Sequence, residues 1–108
     1  VEAVAPVDTS VDSSAQSYQV GDRVLFMRYF GSHADRVIIP NSQAFKIPDG
    51  LSFEEAAAIP VVFLTAYHAI FRIANLQKNE SILIHAAAGG VGTAALQLAK
   101  TVPGVTTY

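Results

Sequence analysis

Apolar residues in this chain follow two rhythms, and the change falls at Ser52. Before it, apolar runs are short and punctuated by Gly, Pro and Asp. Val1 to Ala5 reads as a strand or the end of one, and residues 6–19, rich in Ser, Asp and Gln, as a surface loop. Val20-Gly21-Asp22 is a turn signal, and Arg23 to Met27 is β-rich and apolar. Gly31-Ser32 marks a break before a second strand, Ala34 to Ile39, closed by Pro40. A third strand includes Phe45-Lys46-Ile47 and ends at Pro48-Asp49-Gly50. Several short strands joined by turns predict part of a β-barrel or sandwich.

From Ser52 the pattern turns helical. Ser52-Phe53-Glu54-Glu55 has the form of a capping box, in which Ser52 accepts from the amide of Glu55 and the Glu55 carboxylate reaches back to the amide of Ser52. A short helix is expected to run to Ile59, where Pro60 ends it and serves as the first residue of the next. Val61 to Ala74 is nearly all apolar, which predicts a helix buried on most sides. After a polar connection, Asn75 to Glu80, the chain reads as a buried strand (Ser81 to His85), a Gly-rich turn, a helix (Gly90 to Thr101) and a strand (Val105 to Tyr108). Two strands joined by a helix are expected to be parallel, with a right-handed crossover.

Such a unit cannot cover both faces of its strands, and the first half has too few strands to close a barrel. The expected architecture is therefore a fragment of a longer chain, cut from two adjacent domains. Val1 to Tyr108 alone is expected to be unstable or to aggregate, and to be inactive.

Composition narrows the function classes. The chain has 108 residues, 51% hydrophobic and 15% charged, which is a globular composition. A net charge of -2, with seven scattered Lys and Arg, lacks the basic footprint of a nucleic-acid binder. The absence of cysteine excludes disulfides and thiolate metal sites. The three histidines have no i, i+4 pairing, which argues against zinc. The most apolar window, Ala56 to Phe71, is interrupted by Pro60 and falls short of the ~20 apolar residues a bilayer span needs. No secretory leader is visible at Val1. The sequon Asn79-Glu80-Ser81 lies in a turn and would matter only in a secreted protein.

The chemistry concentrates in Ala87-Ala88-Gly89-Gly90-Val91-Gly92. It sits where the fingerprint G-x-G-x-x-G of a dinucleotide-binding fold sits, between a strand and a helix. Gly89 falls on the second glycine, which lets backbone approach a pyrophosphate. Gly92 falls on the third, where helix and strand pack closely, and Ala87 takes the place of the first. The helix starting near Gly90 would aim free amides and a positive dipole end at the phosphates. Its stripe of Val91, Ala94, Ala95 and Leu98, with Val102 beyond, would face the sheet. Small residues also permit tight helix–strand packing, so the turn is either a phosphate grip or a packing junction. A Walker loop is excluded, because Thr93 follows Gly92 without the required lysine.

"HAAAGGVGTAALQLAK", preceded in order by "VGDRV", "IPDGLSFEEAAAIP" and "TAYHAI", resembles the zinc-free quinone oxidoreductases of the medium-chain dehydrogenase/reductase superfamily, from Val1 to Tyr108. "NLQKNESILIH" and "TVPGVTTY" resemble its vesicle amine transport protein-like subgroup. The resemblance implies an α/β fold: part of a GroES-like β-barrel domain (residues 1–59), followed by the first β-α-β unit of a Rossmann domain (residues 60–108). It implies NADPH as cofactor and hydride transfer to a quinone or an activated double bond. It also implies a small-molecule substrate, a cytoplasmic location and a homo-oligomer when full length.

Carried onto this chain, Ala88, Gly89, Gly90, Val91 and Gly92 form the pyrophosphate turn. Thr65 lies beside the nicotinamide, and His68, one helical turn on, also faces the cleft. In this family alanine is common at the first fingerprint position. No catalytic acid or nucleophile is read within the 108 residues. His85 is expected near the cofactor in a hydrogen-bonded structural role, His33 in an exposed turn, and Tyr67 in the core. Glu54 and Glu55 favour a helix N-terminus and need no acid–base role. The alternative class is a non-catalytic member of the same fold, with nucleotide affinity and a vesicle-associated or structural role.

Overall fold

The computed structural model describes Val1 and residues 17–108. The strand expected over Val1 to Ala5 therefore lies, apart from Val1, outside the described residues, as does most of the 6–19 loop. The chain divides into two compact units, Val1–Ala57 and Ala58–Tyr108.

In the first unit, β1 (Val24–Phe26) pairs antiparallel with β2 (Ala44–Lys46), with Leu25 opposite Phe45. Polar side chains tie this small sheet together. The Tyr18 hydroxyl donates to the Ala44 carbonyl, and the Arg23 guanidinium donates to the Leu51 carbonyl while lying 4.6 Å from the centre of the Phe53 ring. Lys46 Nζ pairs with Asp22 at 2.9 Å. The strand expected over Ala34 to Ile39 does not form. The segment joins no ladder among the described residues, and Ile38 is 93% exposed. An apolar run without a partner strand has nothing to satisfy its backbone groups in a sheet, so its β-propensity goes unused.

Helix α1 (Phe53–Ala57) opens on the expected capping box. The Ser52 amide donates to Glu55 Oε2 at 2.8 Å, and the Glu55 amide donates to Ser52 Oγ at 3.1 Å. Helix α2 begins the second unit with Pro60 at its first position and runs to Tyr67. It continues as a π-helical turn over His68–Ile73, closed by the Ala74 amide donating to the Ala69 carbonyl at 2.9 Å. Burial on most sides does not hold here: Val61, Leu64 and Ile73 are 62%, 54% and 73% exposed, and Tyr67 is also exposed. The helix is largely apolar, yet within its unit it buries Ala66 and Ile70 and half-buries Val62, Phe63 and Phe71 against the core.

Strand β3 (Ser81–Ile82) pairs parallel with β4 (Thr106–Thr107), as expected of strands joined by a helix. Backbone bonds extend the pairing, with the Ile84 amide donating to the Tyr108 carbonyl at 2.9 Å. The segment is not buried on both faces: Ile82 and Ile84 are half-buried, whereas Leu83 and His85 are exposed. Helix α3 (Gly90–Ala99) packs on α2, and the core is small-sided: Ala66, Ile70, Leu76, Ala94, Ala95 and Ala99. Its buried stripe is shifted from expectation. Val91, at the helix start, is exposed, and Gly92 and Ala99 take inward positions. Alanine and glycine on that face let the two helices approach closely.

Candidate functional site

The turn between β3 and α3 is shaped by one carbonyl. Ala86 stands at φ 52°, in the left-handed region that residues with a β-carbon seldom occupy. Its oxygen accepts from the Gly89 amide at 2.9 Å. A β-carbon at Gly92 would lie 2.4 Å from that oxygen and 2.6 Å from Ala87 Cα, an impossible approach. A β-carbon at Gly89 would lie 3.3 Å from the same oxygen, tight but not forbidden. Gly92 is therefore required by packing, as the third fingerprint glycine should be. Gly89 has φ -76° and ψ 167°, which any residue adopts, so backbone strain does not require its glycine.

The fingerprint spacing puts the missing first glycine at Ala87. The left-handed backbone falls one residue earlier, on Ala86, so that is the position where this turn favours glycine. The spacing of glycines alone could not show this, because φ is set by how the strand leaves the sheet.

The helix start is open. Gly89 is the N-cap and makes no side-chain cap bond. The first intrahelical bond runs from the Thr93 amide to the Gly89 carbonyl at 2.8 Å, so the amides of Gly90, Val91 and Gly92 precede it. Thr93 Oγ1 also donates to the Gly89 carbonyl at 2.9 Å, which steadies the turn from behind. A concavity of about 650 Å³ borders it, lined by Ala66, Ala69, Ile70 and Ala74, by Ile82 through Ala86, and by Gly89 through Gly92 with Ala95. The walls are mostly apolar, with the turn as a polar margin. That combination suits a ligand with an anionic part and a flat apolar part.

The structure thus brings Gly89, Gly90, Val91 and Gly92 to one surface. Ala88 is exposed in the same turn. Thr65 and His68 do not line this concavity; both are exposed, Thr65 on α2 and His68 at the start of the π turn. Val62, one turn before Thr65, lies close to the start of α3: a β-carbon at Gly90 would lie 3.2 Å from Val62 Cγ1. His85 lines the concavity but is exposed and forms no hydrogen bond among the described residues, so the structural role expected for it is not seen. His33 lies in an exposed bend, as expected, whereas Tyr67 is exposed and stacks against Phe71 with ring centres 4.9 Å apart, outside the core. Among the described residues, no group of three His, Cys, Asp or Glu side chains is placed to hold a metal, and no helix is long and apolar enough to cross a membrane.

A strand, a tight glycine turn, an open helix start and a parallel second strand define the opening of a dinucleotide-binding fold, here preceded by a small β-unit. Comparison with known proteins carries this to a superfamily. No family model matches the chain. It is 49% identical over 107 residues to the highly reducing polyketide synthase Dhc3 of Alternaria cinerariae, covering 99% of this chain and 4% of that one. It is 46% identical over 99 residues to the synaptic vesicle membrane protein VAT-1 homolog-like of Mus musculus, covering 92% and 24%. Among solved structures it superposes on the quinone oxidoreductase of Thermus thermophilus, described also in complex with NADPH (TM-score 0.73, 42% identity, 81% of this chain and 29% of that one). It superposes too on the CurK enoyl reductase (TM-score 0.80, 35% identity, 93% and 30%). The chain thus spans about a quarter of the VAT-1-like relative's length and a far smaller part of the polyketide synthase.

The chain is a medium-chain dehydrogenase/reductase sequence. Its relatives within that superfamily are the zinc-free quinone oxidoreductases, the VAT-1-like proteins and the enoyl reductases, so the resemblance read from "HAAAGGVGTAALQLAK" holds.

Proposed function

We propose that residues 60–108 open the dinucleotide-binding domain of an NADPH-dependent oxidoreductase, and that residues 1–59 belong to its GroES-like catalytic domain. The reading rests on the turn from Ala86 to Gly92, whose open amides border an apolar concavity. The amides of Gly90, Val91 and Gly92 would hold the cofactor's pyrophosphate, with the dipole of α3 behind them. Ala88 and Gly89 leave room for the phosphates to approach the backbone. Thr65 and His68 would contact the nicotinamide end, which the length of a dinucleotide carries away from the glycine turn. The cofactor supplies the hydride; the residues here bind and orient it and exclude water. The substrate is a small molecule, and the full-length protein is a cytoplasmic homo-oligomer.

The acceptor is a quinone or an activated carbon–carbon double bond. Identity of 49% along nearly the whole chain to a reducing polyketide synthase, with structural likeness to an enoyl reductase, favours the double bond. The test is NADPH oxidation by the full-length protein carrying these residues, with a simple quinone in one arm and an α,β-unsaturated thioester in the other. Turnover confined to the thioester identifies an enoyl reductase, and turnover of the quinone a quinone reductase. Tight NADPH binding without turnover in either arm identifies the non-catalytic class.

A further inference from the structure

We propose that Ala86 is the positioning residue of the cofactor turn, acting through its left-handed backbone rather than its side chain; this rests on the cofactor reading above. Three observations converge on it. Ala86 has φ 52°, although it is not glycine. Its carbonyl accepts from the Gly89 amide at 2.9 Å. The same oxygen is the nearest atom to a β-carbon built at either Gly89 or Gly92. One oxygen thus bars a side chain at Gly92, crowds one at Gly89, and accepts from the Gly89 amide.

The left-handed conformation ties these features together. If Ala86 relaxed to the ordinary right-handed or extended regions, its carbonyl would swing away, Gly89 would lose its acceptor and the turn would open. The concavity reaches Ala86 itself, so such a change would alter the ligand surface directly. A left-handed alanine is strained, and such strain clusters at functional turns.

The test compares three variants of the full-length protein by NADPH titration and by hydrogen exchange at the Gly89 amide. Ala86→Gly accepts the left-handed region freely, so it should keep NADPH affinity within about twofold and keep the Gly89 amide protected. Ala86→Asn tolerates that region and should also keep the amide protected. Ala86→Val, β-branched and poorly suited to positive φ, should lose that protection and bind NADPH at least tenfold more weakly. Its kcat at saturating cofactor should change far less than its KM. A folded Ala86→Val that keeps both protection and affinity overturns the inference. If Ala86→Val does not fold, loss of Gly89 protection in Ala86→Asn overturns it instead. A parent protein that does not bind NADPH overturns the cofactor reading and this inference together, whereas a binding parent with an equally binding Ala86→Val overturns this inference alone.

Discussion

The two units hold themselves together by different means. In Val1–Ala57 the ties are polar and local to a few side chains: Tyr18 to the Ala44 carbonyl, Arg23 to the Leu51 carbonyl, Lys46 to Asp22, and the reciprocal Ser52–Glu55 cap. Among the described residues, few apolar ones are buried there: Tyr18, Ala44, Ile47 and Ala56. In Ala58–Tyr108 the ties are steric, with small residues of α3 packed on α2 and a glycine turn whose backbone atoms nearly touch. Single hydrogen bonds and ion pairs contribute modestly and can be lost one at a time. Close packing tolerates no added atom. Substitutions should therefore cost far more in the second unit, and the site lies where that intolerance is greatest.

The largest effect should come from Gly92→Val in the full-length protein. Its β-carbon has no place beside the Ala86 carbonyl, so we expect a loss of about 3 kcal/mol together with loss of NADPH binding. A thermal melt matching the parent would show that the turn is not close-packed. Leu76→Ala, in the core but outside the lining of the concavity, should cost on the order of 3 kcal/mol through cavity formation and leave NADPH affinity nearly intact. Comparable weakening of binding would mean that the core and the turn are not separable.

Gly89→Val sharpens the contrast within the turn. Its β-carbon meets the Ala86 oxygen at 3.3 Å rather than 2.4 Å. Stability should fall by only about 1 kcal/mol while NADPH affinity drops more than tenfold, because the added methyls enter the phosphate approach. Unchanged affinity would make the turn a packing junction only. In the first unit Ser52→Ala should cost about 1 kcal/mol in chemical denaturation, the usual worth of an N-cap. A cost equal to that of Leu76→Ala would erase the distinction between the units.

The smallest effect is electrostatic. Hydrogen bonding from the Gln19 amide, and then the Lys46 ammonium, hold the Asp22 carboxyl below its ordinary value of 3.8. A carboxyl lowered by folding contributes fully above its unfolded value and loses that contribution as pH falls through the folded one. Asp22→Asn should therefore be slightly less stable than the parent near neutrality, and the gap should close in acid below the ordinary value. A gap that widened in acid would contradict the pairing.

Signals in the sequence are legible where the interaction itself is local. Ser52 and Glu55 cap a helix because they are three residues apart, and Pro60 starts one because its φ is fixed and it has no amide to satisfy. The parallel pairing of β3 with β4 follows from the helix between them. Elements that depend on distant partners are not legible. Ala34 to Ile39 has strand composition but joins no ladder among the described residues, and Val61 to Ala74 has the composition of a buried helix but shows an exposed apolar face. The superfamily is legible because several spaced motifs coincide, each tied to a turn, a cap or a helix start.

The glycines of the site divide along the same line. Sequence by itself determined that a glycine turn of fingerprint spacing stands between a strand and a helix, since glycine spacing and flanking apolar periodicity are properties of the chain. Only the tertiary structure decided that Gly92 is excluded from bearing a side chain by packing, that Gly89 is not required by its backbone, and that the left-handed residue is Ala86 rather than Ala87. The physical reason is that a backbone angle at the end of a strand is set by where the sheet releases the chain and where the next helix must pack. The second involves the packing of α3 on α2, whose residues, such as Ala66 and Ile70, are distant in sequence from the turn.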